Sequence, residues 1–294
     1  ALAGAQAAVV AAPVTALPDA VRVALAAAPE GCVVTDVGST KREVVAAVAD
    51  ERFVGGHPLA GAEAAGVAHA RADLFDGATW YLTPTARTSG LLYERLHRLL
   101  SGLGARPAAI DPEAHDRLMA AVSHLPHVVA NVLVAQAARA LDGEHLPATG
   151  PSFRDATRVA GANPPLWAGI YGANREALAD ALGDAIAGLG EVRDALRAGE
   201  DLEGWQARAA EQRRALLEAG LAGGETRELR LVVPNRPGVI AELALTLGRA
   251  GINISDLALA PAPDGRTGVV ALWVREEDAD RAAGLVDGLG RPAT

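Results

Sequence analysis

The sequence predicts an α/β protein in three parts: a partial doubly wound sheet, an all-α domain, and a small α+β ferredoxin-like module. Three observations predict it. Short apolar runs alternate with helical stretches over residues 1–111. Strand signals then vanish over residues 112–223 and return over 226–294 in the order βαββα. Those breaks set the expected domain boundaries.

In the first part, AAVVAAP (7–13), CVVTDVG (32–38), RFVGGHP (52–58), TWYLTP (79–84) and RPAAID (106–111) read as buried strands. Each is a short apolar run that ends in Gly, Pro or Asp. Between them DAVRVALAA (19–27), TKREVVAAV (40–48) and SGLLYERLHRLLSGLG (89–104) have helical periodicity. Strand–helix–strand alternation implies a parallel sheet, whose ligands sit beyond the carboxyl ends of the strands. The loops PVTA, DVGSTK and GGHPLAG fall at that edge.

The second part opens with Asp111 and Pro112, a suitable N-cap and first-turn pair. Its helices, rich in alanine and leucine, are interrupted by EHLPATGPS (144–152) and GANPP (161–165). A helical block this apolar predicts a homodimer interface. In the third part ELRLVVP (228–234), NISDLALAPA (253–262) and TGVVALWVR (267–275) read as strands. PGVIAELALTLGRAG (237–251) and EDADRAAGLVDGL (277–289) read as helices. A ferredoxin-like module has one strand more, and the chain reaches Thr294 without a signal for it.

Composition narrows the class. Hydrophobic residues make up 50% of 294, yet no uninterrupted apolar run reaches the roughly 18 residues of a membrane span. No signal segment opens the chain, and no membrane partner is expected. A single cysteine, Cys32, excludes an internal disulfide and points to a reducing, cytoplasmic location. A net charge of −9 and 3% aromatics argue against nucleic acid as a partner. Lys41 is the only lysine beside abundant arginine. It reads either as a site that needs a compact ammonium or as a leftover surface lysine.

Four motifs carry chemistry. In DVGSTK, Asp36 closes a strand, Gly38 allows a tight turn, and Ser39 and Thr40 can cap the next helix, whose free N–H groups would face a ligand; an ordinary strand-to-helix turn reads the same way. In GGHPLAGAE, glycines allow close approach of a ligand and Pro58 stiffens the loop around His57. A neutral imidazole there suits a general base, or else it bonds a loop carbonyl. In SHLPH, Ser123, His124 and His127 stand in apolar surroundings. The H-x-x-H pair invites zinc, but it lacks a third ligand at a suitable spacing and Pro126 should interrupt the helix, so a polar pocket lining is the better reading and no metal is expected. In FRDATR, Arg154 and Arg158 lie four apart, with Asp155 able to pair with Arg158. Two guanidinium forks suit a substrate bearing carboxylates; a solvated charge face is the alternative.

Taken in order, DVGSTK, GGHPLAGAE, SHLPH and FRDATR followed by NPPLW resemble the prephenate/arogenate dehydrogenase family of tyrosine biosynthesis, over residues 7–220. The tail LRLVVPNRPGVIAELALTLGRAGINISDL resembles an ACT domain, the amino-acid-sensing module of many biosynthetic enzymes. The resemblance implies oxidation of prephenate, or of arogenate, by a nicotinamide cofactor with loss of carbon dioxide. His57 would accept the proton of the ring hydroxyl, and Ser39 would share that hydroxyl and adjoin the nicotinamide. Arg158 would hold a substrate carboxylate. Arg154, Asp155 and Glu63 would form a gating ion-pair network. Ser123, His124 and His127 would line the substrate side and Trp167 would wall it. Pro13 and Val14, in the loop after the first strand, would join Ser39 on the cofactor side. Histidines rather than an acid in SHLPH favour prephenate over arogenate. Tyrosine is the expected effector, bound around Asn235 to Gly238 with Asn253 near a dimer seam.

One feature of a complete dinucleotide (Rossmann-like) fold is missing. No GxGxxG follows a strand, and AAVVAAP corresponds to the fourth strand of such a sheet. The resemblance implies NAD or NADP as the cofactor, with NAD favoured, and the residue that would discriminate them belongs to the missing part. These residues alone are expected to bind it poorly until an upstream segment is restored. A non-catalytic amino-acid-binding protein is the competing reading. A β-hydroxyacid dehydrogenase ranks below both, because such enzymes use a lysine past the sheet, whereas Lys41 follows the DVGST turn.

Overall fold

A computed structural model describes residues 2–61, 67–140, 149–219, 225–262 and 266–292. The first part is a sheet of β1 (Ala7–Val10), β2 (Val33–Asp36), β3 (Phe53–Pro58), β4 (Thr79–Thr83) and β5 (Arg106–Ala109), in that spatial order. Neighbours are parallel except β3 and β4, which run antiparallel and set His57 opposite Tyr81. The expected all-parallel sheet is therefore mixed. A parallel return needs a crossover, usually a helix, and the described residues between β3 and β4 hold only a 3-10 turn, Val67–His69. The carboxyl ends of β1, β2 and β3 share one edge, as the alternation predicts.

Helix α1 (Leu17–Ala27) buries Leu17, Val21 and Leu25, one side chain per turn. Helix α2 (Arg42–Ala47) is a short bridge between β2 and β3. Helix α3 (Gly90–Gly102) buries Leu92, Tyr93, Leu96 and Leu100 in a core shared with Val33, Val54 and Leu82 of the sheet.

The second part comprises α4 (Pro112–Met119), α5 (Leu125–Ala140), α6 (Pro151–Thr157), α7 (Pro164–Ala173), α8 (Arg175–Ala198) and α9 (Glu203–Ala219). Pro126 does not interrupt the first helix as expected. A π-helical segment, Ala120–His124, joins α4 to α5, and the Leu125 N–H reaches back to the Ala120 carbonyl. Pro126 follows directly on that π segment, where the regular i→i−4 pairing is already interrupted. The joined helix Pro112–Ala140, with a mean hydropathy of 1.6 over its most apolar window, is by length and composition able to cross a membrane. No uninterrupted apolar run marks this helix in the sequence, because His, Asp and Arg punctuate it. Val122 and Val132 on it, and Ile186 and Leu189 on α8, are exposed.

The third part pairs β6 (Thr226–Pro234), β7 (Asp256–Pro261), β8 (Thr267–Arg275) and β9 (Arg291–Pro292) in the order β7-β8-β6-β9, all antiparallel. The strand expected to be missing is present as β9, too short to leave a periodic signal. Helices α10 (Val239–Arg249) and α11 (Ala279–Val286) cover the sheet. This module shares its core with α3. Asp111 does not cap α4 with its side chain; its carboxylate grips Arg249 of α10 at 2.6 and 2.9 Å.

Candidate active site

The site is built on the ends of β2 and β3. The Asp36 carboxylate accepts the Gly38 N–H at 2.8 Å and the Gly56 N–H at 3.1 Å, and it pairs with the Lys41 ammonium. Lys41 also donates to the Gly56 carbonyl at 2.7 Å and is fully buried. Burial lowers its pKa while Asp36 pulls the other way. The lysine is thus an interior cross-link that fixes the backbone one residue before His57. The glycines serve the same end, not the approach of a ligand. A Cβ on Gly55 would stand 2.4 Å from Thr83 Oγ1, and one on Gly56 would stand 2.6 Å from the Asp36 carbonyl. Neither Ser39 nor Thr40 caps α2. Lys41 is the N-cap residue, and the N–H groups of Lys41 and Arg42 donate to the two Asp116 oxygens at 2.8 and 3.0 Å. That helix start is therefore closed by α4 and does not face a ligand. Ser39 lies half-buried between Gly38 and the buried Thr40.

His57, half-buried near the end of β3, turns Nδ1 to His115 Nε2 at 2.9 Å. His115 Nδ1 in turn lies 2.8 Å from Asp116 Oδ1. Burial, then His115, Lys41 and His124, push the His57 pKa down to about 2, so the imidazole is neutral. Among the described residues nothing hydrogen-bonds His57 Nε2. His115 and Asp116 were missed in the sequence. Their only signal was an adjacent His-Asp pair on a short helix, and periodicity does not say which face of that helix meets β3.

The SHLPH segment continues the same polar seam. Asn174, at the start of α8, donates from Nδ2 to the Asp116 carbonyl at 2.7 Å and meets His124 Nδ1 at 3.1 Å. A donor at Nδ1 leaves the hydrogen of a neutral His124 on Nε2. Burial lowers the His124 pKa to about 4. His127 Nδ1 lies 2.9 Å from the Ser123 carbonyl, and its ring stacks on Trp167 with centroids 3.5 Å apart. The Trp167 ring also meets His124 edge-on at 6.0 Å. His127 and Trp167 line one pocket with Asn131, Val159 and Tyr171. Ser123 is half-buried and does not line that pocket.

Arg158 lies close enough to lower the His127 pKa. Contacts therefore run from His57 through His115, Asp116, Asn174, His124 and Trp167 to His127, and Arg158 reaches that end only through its charge. Arg154 and Arg158 do not share one unbroken helix. Helix α6 ends at Thr157 and Arg158 begins a 3-10 turn, with Arg154, Asp155 and Arg158 all exposed. Glu63 lies outside the described residues. At the end of β1, Pro13 is exposed and Val14 is buried, the latter in a 3-10 turn packed on α7.

The residues expected to hold an effector separate. Asn235 lines a cleft with Arg236 and Pro237, faced by Glu51 and by Ser89 of the first part. Gly238, at φ +84°, is consumed by docking: its N–H donates to the Thr88 carbonyl at 3.2 Å, and a Cβ would stand 2.3 Å from the Ala86 carbonyl. Asn253 is exposed and does not line that cleft.

Comparison with known proteins agrees with this geometry. Residues 1–108 match the family described as prephenate dehydrogenase, nucleotide-binding domain, and residues 111–207 match prephenate dehydrogenase, dimerization domain. Residues 227–287 match the ACT domain. The prephenate dehydrogenase of Bacillus subtilis is 33% identical over 257 residues, which is 83% of this chain and 69% of the relative. The crystal structure of prephenate dehydrogenase from A. aeolicus in complex with hydroxyphenyl propionate and NAD+ superposes with a TM-score of 0.65 at 29% identity, covering 72% of this chain and 76% of that one. Synechocystis arogenate dehydrogenase gives 0.61 at 27% identity, over 74% and 80% of the two chains.

Proposed function

The chain belongs to the prephenate dehydrogenase family, and from that premise we propose how its own residues carry the NAD(P)-dependent oxidative decarboxylation of prephenate. The observation that supports this most is His57: a neutral imidazole at the open end of the sheet, with Nδ1 engaged and Nε2 without a partner among the described residues.

The substrate's ring hydroxyl sits at His57 Nε2, with the Ser39 hydroxyl as second partner. Arg158 holds a carboxylate, and His124, His127 and Trp167 wall the ring, with Ser123 beside them. Arg154 and Asp155 frame the entrance. The nicotinamide end of the cofactor fits the rim at Pro13, Val14 and Ser39, which is uncharged because Asp36 beneath it is paired with Lys41. Bound there, a nicotinamide supplies the hydride acceptor; NAD is preferred because the similar A. aeolicus structure is in complex with NAD+. The glycine turn for a pyrophosphate has no counterpart in these residues.

His57 Nε2 takes the hydroxyl proton as the hydrogen on the same carbon departs with its electron pair. The bond from ring to carboxylate breaks, its electrons complete the aromatic ring, and carbon dioxide leaves. His57 then returns its proton to the phenolic oxygen, so the proton is only borrowed. Such base catalysis is worth about 10²–10⁴-fold.

Prephenate is favoured over arogenate by the pocket beside His127, whose described lining has no carboxylate to meet an ammonium. Tyrosine is the proposed effector at the Asn235 cleft, and calorimetry with no tyrosine heat would remove it. The exposed apolar residues of α5 and α8 support a homodimer, and the biosynthetic role supports a cytoplasmic location. The three matched segments support domain breaks near 111 and 226. The direct test is nicotinamide reduction by the full-length protein with prephenate and with arogenate. The expected result is turnover of prephenate, and His57→Asn should lower kcat by about 10²–10⁴-fold with KM little changed. A His57→Asn variant as active as wild type would end this reading.

A further inference from the structure

The base is oriented by a chain of hydrogen bonds whose polarity can be worked out from its far end. Asp116 accepts the backbone N–H groups of Lys41 and Arg42, and its Oδ1 also lies 2.8 Å from His115 Nδ1. A carboxylate has no hydrogen to give, so His115 Nδ1 carries the donor hydrogen. A neutral His115 then offers a bare Nε2, 2.9 Å from His57 Nδ1. That contact needs a donor, which places the His57 hydrogen on Nδ1 and leaves Nε2 as the lone-pair atom.

We infer that His115 and Asp116 are positioning residues that lock His57 in the tautomer whose Nε2 faces the substrate, and that Asp116 balances the charge when Nε2 is protonated. The inference rests on the assignment of His57 as the base. His115 is fully buried and Asp116 is 2% exposed, so water does not compete for these bonds. The charged and titratable neighbours are Lys41 and Asp36 below, His124 from the π segment and the Tyr81 ring from β4. Lys41 and Asp36 neutralise one another, and His124 is neutral. Asp116 is therefore the net charge that the relay feels. As Nε2 gains the hydroxyl proton, His57 becomes an imidazolium whose Nδ1–H still donates to His115, with a carboxylate two hydrogen bonds away. Return of the proton to the phenolic oxygen restores the starting tautomers, so the relay consumes nothing.

The arrangement also explains an economy in the fold. The carboxylate that ends the relay is the one that caps α2, so Lys41, Arg42, His115 and His57 are held by one side chain. Assembly of the helical domain on the sheet and orientation of the base are then a single event.

Two measurements test this. Imidazole NMR on the isotope-labelled full-length protein, without substrate, should show His57 and His115 both protonated on Nδ1 and not on Nε2. An Nε2–H tautomer for His57 overturns the proposal whether or not prephenate is the substrate. In turnover, His115→Phe should lower kcat by about 10²-fold or more with KM unchanged, as expected when a base is left in the wrong tautomer. His115→Gln offers an amide oxygen to the His57 Nδ1–H and should recover kcat to within about tenfold of wild type. Wild-type kcat in His115→Phe, or equal losses in both variants, overturns it. Loss of prephenate turnover in the wild-type protein would count against the proposed reaction but not against the tautomers.

Discussion

His57 and His124 are neutral because of where they sit, and that has a cost that shows in stability. The unfolded chain binds protons at both histidines below about pH 6.5, whereas folded His124 binds one only near pH 4 and folded His57 near pH 2. Between pH 6.5 and 4 the unfolded state therefore holds more protons, and stability rises with pH across that window. Acidification from 6.5 toward 4 should lower the urea midpoint, and His124→Gln should flatten that dependence. Lys41 has the opposite kind of role. Its ammonium answers the Asp36 carboxylate in the interior, so Lys41→Met should cost about 3–5 kcal/mol by stranding a buried charge. Lys41→Arg should not restore it, because the fully buried ammonium sits between the Asp36 carboxylate and the Gly56 carbonyl, and a larger planar guanidinium must displace its surroundings. Denaturant melts of the two variants check both statements.

At the scale of the element, β3 is the part on which the proposed chemistry depends. Gly55 and Gly56 let β2 and β4 close on it and let Lys41 reach the Gly56 carbonyl, and His57 follows directly. In Gly56→Ala the added Cβ would meet the Asp36 carbonyl at 2.6 Å and Thr35 Oγ1 at 2.7 Å, so the strand must move. The expected outcome is a folded protein destabilised by about 1–3 kcal/mol, with a fall in kcat larger than any change in KM. Thermal melts and steady-state kinetics separate these effects. The strands were legible because an apolar run closed by Gly, Pro or Asp has few other readings. The direction of β4 was not legible, because it depends on the route the chain takes through the segment after Pro58. The cap of α2 was misread for a similar reason. A nearby serine is the economical assumption, yet the carboxylate that closes the turn comes from Asp116.

At the scale of the whole molecule, the ACT module is joined to the sheet and does not hang from a tether. Helix α3 lies in both cores, Arg249 forks onto Asp111, and Gly238 fits under the Ala86 carbonyl. Gly238→Val, with both a steric clash and a positive φ to overcome, should detach the Asn235–Gly238 loop and expose the Asn235 cleft to limited proteolysis. The helical block has its own unmet surface. Ile186 and Leu189, 66% and 69% exposed, lie three residues apart on α8. If these residues seat the proposed homodimer, replacing both with aspartate should shift sedimentation from dimer toward monomer, and an unchanged coefficient would remove this face as its interface.

By itself the sequence determined the three-part architecture and set His57 at the edge of the sheet where the chemistry is proposed. Those features follow from local periodicity and from residue types that few other environments tolerate. Only the tertiary structure decided what surrounds that histidine. His115, Asp116, Asn174 and the buried Lys41–Asp36 pair are distant in sequence or outwardly ordinary, and each acquires its role through one hydrogen bond made across elements. Such bonds leave no periodic trace, because they are fixed by how helices dock on a sheet and not by the order of residues within either.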